Sequence, residues 1–159
     1  MPGLVRAANE GAALLATAGK PIRRSVVAEA AGCEVELDAL APDFYRLDGV
    51  RRIQGEQETP TLEGGLLRLP EPGWYRLLYS AYEESVTERT EDNHPMALDE
   101  EAAVLLPLYI ASQLYKHDNA QLAVLWRNEF EVGRELLQMN GRQRAQGPGT
   151  AEFVAERWF

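Results

Sequence analysis

The chain has one cysteine, two histidines and too few basic residues to offset its acids, leaving a net charge of −9. Each shortage closes off a class of function. A lone Cys33 forms no intrachain disulfide and no thiolate zinc cluster. It reads as a small apolar core residue, since no feature nearby in sequence would lower its pKa. His94 and His117 belong to different predicted elements, and neither sits in an HExxH motif. No zinc or di-iron site is signalled. The acidic balance argues against a general nucleic-acid binder, which needs clustered Lys and Arg for phosphates.

Long hydrophobic runs are missing too. Nothing approaches the ~18 consecutive apolar residues of a membrane span. The first residues, MPGLVRAANEGAALLATAGK, place Asn9 and Glu10 inside their Ala/Leu stretch and lack the pattern of a secretory signal. The expectation is a protein made in the cytosol, with no membrane partner.

Catalytic motifs are equally scarce. No G-x-S-x-G surrounds Ser25, Ser80, Ser85 or Ser112, and no phosphate-binding glycine loop occurs. The sequence therefore predicts no catalytic, metal or cofactor site, and no enzyme.

What the chain does have is segregated charge. Between Glu83 and Glu101 stand eight carboxylates and one base, Arg89. Basic residues gather at Lys20, Arg23 and Arg24, at Arg51 and Arg52, and at Arg142 and Arg144. Such a molecule can present opposite patches to neighbouring copies, although a solvated acidic loop would look the same.

The pattern of elements is α+β, because strands and helices come in separate runs. Leu4, Ala8, Ala12 and Leu15 recur at helical spacing and predict a helix over 4–17, stopped by Gly19 and Pro21. Val26–Ala30 and CEVELD predict a hairpin. In CEVELD, Cys33, Val35 and Leu37 face inward, and Glu34, Glu36 and Asp38 face water. A further strand is expected within 44–47 or 50–53, followed by a polar loop, GEQETPTLEGG. GLLRLPEPGWYRLLYSAY predicts a second hairpin turning at Pro72–Gly73, its returning strand covered on both sides. The result is a small antiparallel sheet or sandwich.

A helical hairpin comes next. Asp99 is placed to cap a helix reaching Lys116, with a kink or a restart at Pro107. Asp118 and Gln121 are placed to start a second helix that ends near Met139, before Asn140–Gly141. Its apolar residues, Leu122, Leu125, Trp126, Phe130, Val132, Gly133, Leu136 and Leu137, span more than the ~100° arc one packed face requires. Trp126 and Phe130 are the candidate contacts with another chain, because exposed aromatics anchor interfaces. The final FVAERWF, after Gly-Pro-Gly, carries Phe153, Trp158 and Phe159. Disordered tails are poor in aromatics, so this one is expected to dock on a partner, and the strand propensity of EFVAE suits strand addition to a neighbour's sheet edge. A single domain over 1–140 with an extended arm over 141–159 is the expected organisation.

Three stretches carry a family resemblance. APDFYRLDGVRRI, then GWYRLLYSAYEESVTERTEDN, then LDEEAAVLLPLYIASQLYKHDNAQLAVLWRNEFEVGREL together resemble virion proteins of tailed bacteriophages, of the head-to-tail connector or adaptor kind. The likeness covers about residues 20–137 and lies in the order and flavour of these stretches. It implies a structural subunit forming a ring, commonly of twelve copies, between the portal protein and a tail protein in the virion neck. Helices would make the wall, extended termini would tie neighbours together, and an acidic lumen would pass DNA without specific binding. Glu34, Glu36, Asp38 and the Glu83–Glu101 loop are the candidate lining. A tail-completion or tail-tube-proximal subunit would look similar. A regulatory or scaffolding protein binding through Trp126 and Phe130 without a ring is the alternative outside the virion.

Overall fold

The computed structural model describes residues 2–145 and shows an α+β chain. The single domain expected over 1–140 divides instead into two compact units. A helical unit is drawn from the described residues up to Lys20 and from Glu83 onward, and a β unit over 21–82 is inserted between them.

The helical unit holds α1 (Pro2–Ala16) and three later helices, which follow the β unit in the chain. In the β unit, β1 (Ile22–Ala30) leads to β2 (Glu34–Glu36) and a single turn, α2 (Leu37–Leu40). Then come β3 (Phe44–Arg52), β4 (Gln57–Glu58), β5 (Thr61–Glu63), β6 (Leu66–Arg68) and β7 (Gly73–Ala81). One sheet has the order β1-β7-β3-β4 and the other β2-β6-β5, with every pair antiparallel.

Neither predicted hairpin forms. β1 pairs with β7, and β2 pairs with β6. The chain crosses from one sheet to the other at Ala31–Cys33, where Cys33 takes a left-handed φ of 63°. It changes sheet again after β2, after β4 and after β6, so the crossings expected as hairpins are those after β1 and after β6. Alternation fixes which side chains point inward but not which strand lies alongside, so both crossings read in the sequence as turns. Of the three CEVELD residues expected to face inward, Val35 and Leu37 are buried and Cys33 only partly so. Val35, Leu37, Val50, Leu67, Tyr75 and Leu77 are buried in one core cluster with Ala28, Ala30 and Leu69. β7 is the spine: Tyr75 is buried between exposed Trp74 and Arg76, and from Leu77 to Ala81 every residue is buried. That agrees with the predicted cover on both sides.

Two further strand expectations are revised. Residues 44–52 form one strand with register shifts at Phe44/Arg46 and Leu47/Gly49, rather than two alternatives. The polar stretch expected as loop holds β4 and β5, too short for a periodic signal.

After the acidic loop, α3 (Glu100–Ala103), α4 (Leu106–Leu114) and α5 (Ala120–Ala145) complete the helical unit. Pro107 sits in the first turn of α4, as a restart requires. Asp99 is the N-cap residue of α3, but its side chain caps nothing; its carboxylate takes a hydrogen bond from Lys20 at 3.1 Å. The cap of α5 is Asn119 rather than Asp118: its Oδ1 accepts from the Leu122 N–H at 3.0 Å. α5 also runs past Asn140–Gly141, so residues 141–145 of the expected arm are helix.

α4 packs against both α1 and α5. A Cβ on Gly11 would stand 2.7 Å from Leu106 and 2.8 Å from Tyr109, so glycine sets how closely α1 approaches α4. Gly133 does the same for α5, where a Cβ would meet Leu105 at 2.6 Å.

Leu77→Ala would leave a cavity in the β-unit core. The expected loss is about 2–5 kcal/mol of unfolding free energy in the intact chain, read by urea denaturation.

Candidate interaction surfaces

α5 is apolar on two sides, and folding satisfies one of them. Ala123, Phe130 and Leu137 share the buried side. Phe130 is fully buried, its ring 5.0 Å from that of Tyr109 and tilted by 58°. The Arg127 guanidinium lies 5.1 Å from the Tyr109 ring centroid and 5.6 Å from that of Phe130, a cation–π contact with each. The Tyr109 hydroxyl donates to Glu10 at 3.2 Å, joining α4 to α1. Burial first, then the negative charge of Glu10, raises the Tyr109 pKa and keeps the phenol protonated as that donor.

This geometry corrects one expected contact. Phe130 is a core residue of the helical unit and is not available to a partner, and Trp126 is only half-exposed. The residues left outside are Leu125, Val132, Leu136 and Met139, each 50–60% exposed, with Val124 on the flank at 58%. The breadth of the apolar arc was therefore a sound signal and the choice of aromatics a poor one. Large rings fill the inner face because a small helical unit has little else to fill it with. The usable sign in the sequence was the three- and four-residue spacing of the outer aliphatics.

The acidic strand is less acidic as a surface than as a string. Glu34 and Glu36 are exposed on β2, with Val35 buried between them. Asp38 is exposed on α2, against the backbone of Gly65: a Cβ there would stand 2.9 Å from its carboxylate. Arg68 lies opposite Glu34 in the β2–β6 register, with 3.5 Å between Nε and the carboxylate, and 3.6 Å from Glu63. Structure brings a base to Glu34 that sequence distance had concealed.

The loop from Glu83 onward is pinned from within. The Glu83 carboxylate is 9% exposed and accepts from the backbone N–H groups of Leu98 at 2.7 Å and Ala97 at 3.1 Å. Asn9 on α1 clasps Val86 from both sides, donating to its carbonyl at 2.9 Å and accepting from its N–H at 2.8 Å. Glu83 is thus a closure for the loop, and the other carboxylates project from a fixed frame. Sequence reading had counted all eight as one surface run.

Phe153, Trp158 and Phe159 lie outside the described residues. Among the described residues, no group of three or more His, Cys, Asp or Glu could hold a metal ion, and no helix is long and apolar enough to cross a membrane. No protein-family model and no curated protein matches the chain.

Glu83→Ala would leave the buried Leu98 N–H and the part-buried Ala97 N–H without their acceptor. Hydrogen bonds to a charged group contribute about 1.5–3 kcal/mol, so the expected result is a loss of that order. Limited proteolysis should then cut within 84–97 faster than in the unaltered protein.

Proposed function

We propose that the chain is a structural virion protein, a head-to-tail adaptor subunit that joins the portal protein to a tail protein as a homo-oligomeric ring. It acts by assembly rather than catalysis and requires no cofactor. The outer apolar face of α5 carries this reading. A contiguous row of aliphatic side chains that folding leaves in water marks a protein contact. The residues behind the family resemblance, PLYIASQLY and LWRNEFE, fall on α4 and α5, where they build the inner packing and leave that row outside.

A ring of about twelve copies, as the resemblance implies, places the protein in the virion neck after assembly in the host cytoplasm. DNA would pass its acidic lining without specific binding. Arg68 offsets part of the charge of Glu34, so the Glu83–Glu101 loop is the stronger candidate lining, with Glu36 and Asp38 as secondary candidates. β1 is an edge of its sheet, and a strand from a neighbour's C-terminal residues could extend it. The same α5 face also suits the alternative of a non-ring protein-binding subunit.

Symmetry separates the two. The intact chain at rising concentration should form closed rings in negative-stain images, and a chain ending at Gln146 should stay folded but form none. Normal rings from the shortened chain would remove the role of the C-terminal residues. Assembly of the intact chain that stops at two copies would overturn the ring.

A further inference from the structure

Leu122, Leu125, Glu129, Val132, Leu136 and Met139 step along α5 by three, four, three, four and three residues. All six lie on the outer side of a continuous helix, about 27 Å from end to end. Leu125, Val132, Leu136 and Met139 are at least half exposed, Leu122 is partly exposed and Glu129 is exposed. An alternating three–four step is the seam of a coiled coil, whose side chains need the holes of a second helix rather than a strand or a flat surface.

We infer that this seam packs, antiparallel, against the same seam of a second copy of the chain. The pairing is self-complementary about a point between Phe130 and Glu131. Leu122 then lies opposite Met139, Leu125 opposite Leu136, and Glu129 opposite Val132, so every seam residue meets a seam residue. At the flanks Arg142 lies across from Gln121, and Glu135 across from Asn128, with no like charges opposed. A parallel pairing would set Glu129 on Glu129. The seam covers roughly 500–600 Å² per copy, below the ~800 Å² per partner of a standard interface, which fits an exchanging rather than a permanent dimer.

A two-fold contact of this kind closes on itself, whereas a ring uses two different surfaces per subunit. The dimer is therefore a state of the dilute free protein, and it must exchange to release the α5 face before a ring can form at higher concentration.

Disulfide trapping tests the pairing and its register. In a Cys33→Ser background, Leu125→Cys and Leu136→Cys are made as two separate proteins; both positions are exposed, so folding is not at stake. Mixed under mild oxidation, they should yield a covalent species of two copies, while each alone should not, because its own thiols lie about 16 Å apart along the helices. Glu129→Leu should tighten the dimer roughly tenfold by completing the seam. Cross-linking within a single variant would mean a parallel pairing and overturn the inference. So would no cross-link in the mixture, or one that appears only after residues 147–159 are removed, which would make the C-terminal segment the occupant. The readout is the two-copy species, so it is independent of whether rings form.

Discussion

A helix of 26 residues with apolar side chains on two sides cannot be satisfied by the one helix that runs beside it. That constraint organises the helical unit. α4 is held close to α1 by Gly11 and takes the inner side of α5 through Tyr109 and Phe130. Gly133 lets Leu105 approach the same side. Among the described residues no helix is left for the outer side, and a row of Leu, Val and Met at least half in water follows directly. Burial of that row would bring the ordinary hydrophobic gain of about 25 cal/mol per Å² covered, which is why its neighbour should be another polypeptide.

The inserted β unit and the acidic loop follow from a different requirement, that buried polar groups find partners. The β2–β6 ladder is continued past both of its ends: Leu37 donates to Gly65 at 2.9 Å, and Leu69 donates to Cys33 at 2.8 Å. The acidic loop begins with a carboxylate turned inward to close it, and Asn9 holds it from the other side. Its remaining charges are thereby kept on a fixed scaffold, and Lys20 holds its far end through Asp99. An acidic surface of this kind repels a DNA backbone, as a lining that DNA slides past should.

Inward and outward positions were legible wherever a period was long enough to read. Val35 and Leu37 were placed inside from alternation alone, the 74–82 strand was read as covered on both sides, and Pro107 marked the helix break. Pairing was not legible, because alternation is identical whichever strand lies alongside, and so two crossings between sheets passed for hairpins. The α5 cap moved by one residue because Asp118 and Asn119 are both good caps, and only the backbone decides between them. The helix ran through Asn140–Gly141 because an Asn-Gly pair permits a stop without enforcing one. Phe130 misled for a plainer reason: an aromatic at helical spacing serves a core as well as an interface, and the Tyr109 that claims it lies 21 positions earlier in the chain.

The central claim is that the outer face of α5 is where this protein meets another chain. Its most direct test is the solution mass of the purified protein against that of a Leu136→Glu variant, measured by light scattering over a range of concentrations. The account predicts that the unaltered chain gains mass with concentration and that the variant, equally folded by circular dichroism, stays at or near the mass of one copy. Identical association by the two proteins, or none by either, would contradict it.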